Sequence, residues 1–351
     1  MNALRTCHFA AAAAVTAGLL VAGCSSPGSG DSGESTTQAA PVAASDLQDD
    51  YQQVIKDVLP SVVQIEASNS LGSGVVHDSK GHIVTNAHVV GKERTFKVTT
   101  ATGEQALTAK LVASYPEQDL AVIKLDNPPS GLKAAKFGDS TKAEVGQIVL
   151  AMGSPLGLSS SVTQGIISAT GRTVSEPRTE GGASGATIAN MVQTSAAINP
   201  GNSGGALVTL DSEVIGIPTL AASDPQMGDS AAPGIGFAIP STMVKTIADQ
   251  IIEDGKVTDS GRAALGITGR TVLGDDYKPA GVAVVNAQKD GAAAKAGIEA
   301  GDIITKMGGA GITTITSLSE ALAGEKPGDK AQVTYVRDGA EKSADVTLGE
   351  M

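Results

Sequence analysis

From about residue 61 to 240, short runs rich in Val and Ile alternate with turns of Gly, Asn, Asp and Pro. "GSGVVHDSKGHIVTNAHVV", "LTAKLVAS", "LAVIKLD", "GQIVLAMGSP", "GALVTL" and "EVIGIPTL" carry no long helical period and read as strands. They predict one all-β domain, built as two barrels or as a sandwich. "YQQVIKDVLPSVVQIEAS" from Tyr51 predicts a short helix closed by Pro60, then a strand. "SEPRTEGGASGAT" (175–187) has the composition of a loop. After it, Met243, Val244, Ile247, Ala248, Ile251 and Ile252 recur at helical spacing, with Ser241 as the expected N-cap and Gly255 as the stop.

A smaller module follows from about Arg262. It mixes short strands ("GVAVVNAQ", "DIITKMGG", "AQVTYVRDG", "SADVTLGE") with two helix-like pieces. One of these, "SLSEALAG", places Ser317 and Glu320 at capping-box spacing.

The start of the chain follows a different pattern. "MNALRT" carries one arginine and "FAAAAAVTAGLLVAG" is apolar but short for a membrane span, so residues 1–23 read as a signal peptide. The run ends in "LVAGC", which resembles a bacterial lipobox and makes Cys24 the expected lipidated N-terminus. Residues 24–49 then read as a tether, because "SSPGSGDSGESTTQAAPVAASD" has nothing to bury except Val42. Such a tether reaches roughly 25 Å root-mean-square. Cys7 leaves with the signal, so no intrachain disulfide is expected.

Composition narrows the function classes. The 351 residues include 43 glycines and only 2% aromatics, which agrees with many tight turns. The net charge is −12, and loss of Arg5 leaves 24 basic against 37 acidic residues. Nucleic acid is therefore not an expected partner, and attachment to a membrane would come from acyl chains rather than charge.

The chemistry starts with "INPGNSGGALV" (198–208), where Ser203 stands among glycines. A hydrolytic serine needs a neutral imidazole within reach, a carboxylate to fix its tautomer, and backbone N–H groups facing the oxyanion. Gly201 and Ser203 can present two such N–H groups. His77 and His82 flank the turn "DSKG" and are expected to be solvated, whereas His88 stands where the strand "HIVTNA" ends. Asp119 directly precedes the apolar run "LAVIKL"; Glu117 and Asp126 are rivals by residue type.

"TNAHVV", "DLAVIK" and "GNSGGAL", in that order, resemble the trypsin-like serine proteases. The fuller pattern "LGSGVV…GHIVTNAHVV…INPGNSGGALV…GIGFAIP" resembles the HtrA/Deg group within them. The resemblance implies a mainly β fold: a double β-barrel protease domain (50–255) followed by an α/β PDZ domain (262–351). It implies His88 as general base, Asp119 as its orienter, Ser203 as nucleophile, and the Gly201 and Ser203 amides as the oxyanion hole. It places the specificity pocket at Ala197 and Ile198, where no carboxylate is available for a basic substrate residue. "ALGI" resembles the PDZ carboxylate loop, with Leu265, Gly266 and Ile267 holding a peptide C-terminus. Asn202 replaces the aspartate that pairs with a freed N-terminus in digestive relatives, so activation by ordering of loops is expected instead of a zymogen cut.

No cofactor and no metal are implied. The implied partners are misfolded proteins, peptide C-termini, the outer face of a membrane and, by likeness, two further copies of the chain in a homotrimer. The alternatives are a non-proteolytic chaperone-like or peptide-binding lipoprotein, and a signalling protease with one membrane-associated substrate. The pocket yields a first prediction. Cut sites mapped in denatured casein should fall mainly after Val and Ala, and a majority after Lys or Arg would overturn the assignment of Ala197 and Ile198.

Overall fold

The computed structural model describes residues 43–68, 70–100, 103, 105–154, 161–175, 187–199, 201–224, 230–274 and 277–350. The expected signal peptide, Cys24 and most of the loop at 175–187 lie outside the described residues.

Helix α1 (Ala43–Val58) opens this part, and a 3-10 turn carrying Pro60 closes it. It begins earlier than expected, inside the segment read as a tether. Tyr51, Val54, Ile55 and Val58 recur at helical spacing and pack on the core, so the helix is held by burial of one stripe among polar neighbours.

Two closed six-stranded antiparallel barrels follow. The first holds β1 (Val62–Glu66), β2 (Leu71–Val76), β3 (His82–Thr85), β4 (Thr95–Thr100), β5 (Leu107–Tyr115) and β6 (Leu120–Leu125), in the spatial order β1-β2-β3-β6-β5-β4. Helix α2 (Ala87–Val90) interrupts it after β3. The second holds β7 (Ile148–Gly153), β8 (Ser161–Ser175), β9 (Thr187–Thr194), β10 (Ala206–Thr209), β11 (Val214–Asp224) and β12 (Ser230–Pro240), in the order β10-β11-β12-β9-β8-β7.

The apolar runs of β2, β3, β6, β7 and β10 are near-continuous because these strands are buried on both faces. On β6, Ala121 and Ile123 fill the first barrel, while Leu120 and Val122 join Leu150, Met152, Ile217 and Ile239 between the barrels. A strand with one wet face would have alternated. Helix α3 (Ser241–Asp254) adds Val244, Ile247 and Ile251 to the same inter-barrel core.

Three local expectations are corrected. Ser241 is the first helical residue of α3 rather than its cap, and its hydroxyl donates to the Gly138 carbonyl at 2.8 Å. Gly255 does end α3, in a left-handed conformation. His82 is buried, with Nδ1 on Asp78 Oδ2 at 2.7 Å, because Asp78 also accepts the Lys80 and His82 amides and draws the ring into its turn. His77 is drawn off the turn as well, to Asp249 of α3 at 3.0 Å and against the Phe137 ring.

The C-terminal module contains β13 (Ala263–Ala264), β14 (Ile267–Leu273), β15 (Pro279–Ala287), α4 (Ala292–Lys295), β16 (Ile303–Met307), β17 (Ala310–Gly311), α5 (Ile315–Ala323), β18 (Lys330–Arg337), β19 (Ala340–Thr347) and β20 (Gly349–Glu350). The main sheet runs β14-β15-β16-β18-β19, with β17 on β16, while β13 pairs β20. Gly308 and Gly309 of "MGG" both sit at positive φ, which lets β16 turn tightly into β17. Helix α5 starts before Ser317: Thr314 is its N-cap, and Thr314 and Ser317 exchange the reciprocal bonds of a capping box.

Asp302, directly before β16, is almost fully buried. Burial alone would raise its pKa. The Arg337 guanidinium, bonded to its two oxygens at 2.6 and 2.7 Å, and the Glu299 amide at 2.8 Å outweigh this and hold it below the ordinary carboxylate value. Arg337→Met should therefore leave a desolvated carboxylate without its cation and destabilise the fold, read as a lower urea midpoint of the full chain. A depressed folded-state pKa stabilises above the unfolded value, so in the wild type this contribution should fade as pH falls below about 4. An unchanged midpoint at pH 7 would contradict it.

Candidate active site

The cleft between the barrels gathers three segments. From the first barrel, β5 ends in the 3-10 turn Pro116–Gln118, and Asp119 follows in a left-handed conformation (φ 50°, ψ 40°). Asp tolerates this conformation better than most residues, and here it turns the carboxylate into the protein, where it is fully buried. The Asp119 carbonyl accepts from Asn86 Nδ2 at 3.0 Å and from the Ala87 amide at 3.1 Å, which pins the turn to the start of α2.

On α2, His88 is gripped twice by this carboxylate: Nδ1 lies 2.8 Å from Asp119 Oδ2 and the backbone amide 3.0 Å from Oδ1. Thr219 Oγ1 of β11 also donates to Oδ2. A carboxylate accepts hydrogen bonds, so Nδ1 of a neutral His88 carries the proton in this pair. The His88 side chain is 22% exposed, enough to meet a substrate.

Ser203 precedes β10 in a turn made possible by glycines. Gly201 and Gly204 have φ of 105° and 81°. A Cβ on Gly204 would run into the Ser73 carbonyl, and one on Gly205 into that of Met152. Neither the Gly201 nor the Ser203 amide donates to another group among the described residues. The Ser203 hydroxyl donates to the Thr219 carbonyl at 3.2 Å. Asn202 is buried, with Nδ2 on the Ala197 carbonyl at 3.2 Å; a neutral amide satisfied inside the protein leaves no ion pair to be made there.

His88 and Asp119 are paired directly and Ser203 is linked to Asp119 through Thr219, whereas the rivals lie outside this arrangement. Glu117 is exposed, and Asp126 is exposed beside Lys110. Ala197 and Ile198 diverge: Ala197 is exposed, whereas Ile198 is buried against Gly236 of β12, where a Cβ would clash with it. In the C-terminal module, the Leu265 and Gly266 carbonyls are tied inward to the Ala293 and Gln288 amides, both at 2.8 Å, and Ile267 starts β14.

Thr219 and Asn86 do not stand out in the sequence. Thr219 lies at a register shift of β11 between Pro218 and Leu220, a bulge that re-aims its side chain towards Asp119. The available signal was a lone hydroxyl in the apolar run "VIGIPTL"; for Asn86 it was an amide closing "HIVTN" beside the histidine.

A double barrel with an Asp–His pair and a glycine-flanked serine in its cleft, joined to a small α/β module, defines a trypsin-like protease fold with a PDZ domain. Family models agree: the trypsin-like peptidase domain matches residues 72–217 and the PDZ domain residues 258–348. Serine protease Do-like HtrA of Lactococcus lactis is 38% identical over 298 residues, spanning 80% of this chain and 71% of that protein. Periplasmic serine endoprotease DegP of Escherichia coli is 40% identical over 287 residues, spanning 80% of this chain but only 57% of that protein. The solved structure "HtrA-type protease AlgW with decapeptide" superposes with a TM-score of 0.59 at 30% identity, over 86% of this chain and 98% of that one. The chain belongs to the HtrA-type serine proteases.

Thr219→Val tests the part of this site that the sequence hid. The substitution keeps the shape and removes one donor to a buried carboxylate, so kcat should fall about tenfold. KM should stay within about twofold, because Thr219 acts through Asp119 and not on the substrate. A kcat within about twofold of wild type, or a loss expressed in KM alone, would show that Thr219 only packs.

Proposed function

We propose that this chain is an extracytoplasmic serine endopeptidase that degrades misfolded or damaged proteins through an acyl-enzyme. The observation that carries the reading is the buried Asp119 carboxylate 2.8 Å from His88 Nδ1, with Thr219 joining that carboxylate to the Ser203 hydroxyl. In the reaction the Ser203 proton leaves the Thr219 carbonyl for His88 Nε2, and Oγ attacks the peptide carbonyl. The Gly201 and Ser203 amides receive the oxyanion, and Asp119 stabilises the imidazolium. His88 then protonates the departing amine, and water repeats the sequence to release the acid.

The specificity pocket at Ala197 and Ile198 suits small aliphatic residues, a reading supported by Ile198 filling the space beside Gly236. The PDZ domain takes peptide C-termini. Its strand β14 pairs with β15 on one side only among the described residues, so a peptide can add as a strand with its carboxylate at Leu265, Gly266 and Ile267. The periplasmic relatives support an extracytoplasmic address. The "LVAGC" motif supports anchoring of Cys24 to the outer face of the cell membrane, and likeness to the family supports a homotrimer.

The decisive experiment is digestion of denatured casein by the full chain with and without a hydrophobic C-terminal peptide. Ser203→Ala should lose at least about 10⁴-fold in turnover, because the three residues act as a unit. Casein digestion surviving in Ser203→Ala would leave a peptide-binding lipoprotein as the better reading, and a peptide without effect would remove the PDZ domain from substrate capture and control.

A further inference from the structure

Ser73 lies on β2, in the other barrel from the nucleophile, and its side chain is fully buried. All its polar groups are engaged at the nucleophile turn or next to it. Its amide donates to the Ser203 carbonyl at 2.8 Å, and its hydroxyl donates to the Gly201 carbonyl at 2.5 Å. The same hydroxyl accepts from the Ser154 amide at 2.8 Å, just beyond β7, and the Ser73 carbonyl accepts from Thr85 Oγ1 at 2.6 Å. A single serine of the first barrel therefore holds the carbonyls on either side of Asn202.

This pattern has a consequence for the amides that face the cleft. The peptide plane between Gly201 and Asn202 is fixed at both ends, by Ser73 Oγ on the Gly201 carbonyl and by the Asn199 carbonyl on the Asn202 amide at 3.0 Å. Gly201 itself gives no such constraint. With φ of 105° and no Cβ, it can adopt other backbone angles at little steric cost. The orientation of its N–H must then come from what holds its neighbours, and on the carbonyl side that is the Ser73 hydroxyl. This donor can hold a fixed direction because it is shielded from water and is itself oriented by the Ser154 amide. Rotation would leave a buried N–H unpaired.

We propose that the Ser73 hydroxyl is a positioning residue for the oxyanion site, acting through the Gly201 carbonyl rather than by touching substrate. The inference rests on the assignment of Gly201 and Ser203 as oxyanion donors. Its effect belongs to the transition state, where charge develops on the substrate oxygen, and hardly at all to ground-state binding.

The test uses Ser73→Ala and Ser73→Cys in the full chain, with a small peptide substrate and with a peptide aldehyde that forms a tetrahedral adduct on Ser203. Ser73→Ala should lower kcat about 10- to 100-fold, less than loss of an oxyanion donor itself, while KM stays within about twofold. Affinity for the aldehyde should fall by the same factor as kcat/KM. Ser73→Cys, similar in shape but a weaker donor, should fall between the two, and it carries the test if Ser73→Ala does not fold. Full kcat in either folded variant, or a loss expressed in KM with aldehyde affinity unchanged, overturns the proposal. If Ser203→Ala abolishes turnover while the Ser73 variants keep it, only this inference fails; if Ser203→Ala stays active, the assignment of the nucleophile fails first.

Discussion

A carboxylate buried between two barrels must be matched by hydrogen-bond donors, and Asp119 draws them from both. It comes from the first barrel, it is fully buried, and it accepts from His88 twice and from Thr219 of the second barrel. Its Oδ2 takes both His88 Nδ1 and Thr219 Oγ1, so the orientation of the imidazole and the placement of the second barrel are held at one oxygen. Thr219 extends this to the turn before β10, since its carbonyl receives the Ser203 hydroxyl. Ser73 completes the link in the opposite direction, from the first barrel to the turn that carries Ser203.

The same turn that aims Asp119 supports the root of the PDZ domain. Arg262 Nη1 donates to the Glu117 carbonyl at 2.9 Å, and Ser260 is tied through its amide and hydroxyl to Glu350 Oε1, both at 2.7 Å. Glu350 lies on β20, whose partner β13 begins at Ala263. The first and last strands of the domain are thereby joined beside the segment between Tyr115 and Asp119. Burial lowers the pKa of the Arg262 guanidinium, opposed by Tyr115 and Glu117.

Much of the fold was legible because burial on both faces leaves a coarse record. Runs such as "LAVIKL" and "IVLAMG" cannot be surface strands, and the glycines between them mark turns. Boundaries were less legible. The stripe on α1 is diluted by "SDLQDD", so its first turns read as tether, and the residues that cap α3 and α5 were misplaced because Ser241 and Ser317 had better partners than the positions their types suggest. His82 read as a solvated turn residue because nothing in "HDSKGH" reveals that Asp78 would fold back onto its ring.

The sequence by itself determined the class of chemistry: a serine needing a glycine turn, one histidine at a strand end, and an acidic residue before a buried run, in an order that resembles one family. Local pattern carries that information because a nucleophile turn is made by neighbours in the chain. Only the tertiary structure decided that Thr219 at its bulge bridges Asp119 and Ser203, and that Ser73 holds the Gly201 carbonyl from 128 residues away. Those contacts cross between barrels. A hydroxyl in an apolar strand looks the same in sequence whether it caps a backbone nearby or closes an active site, and only the packing of the two barrels distinguishes them.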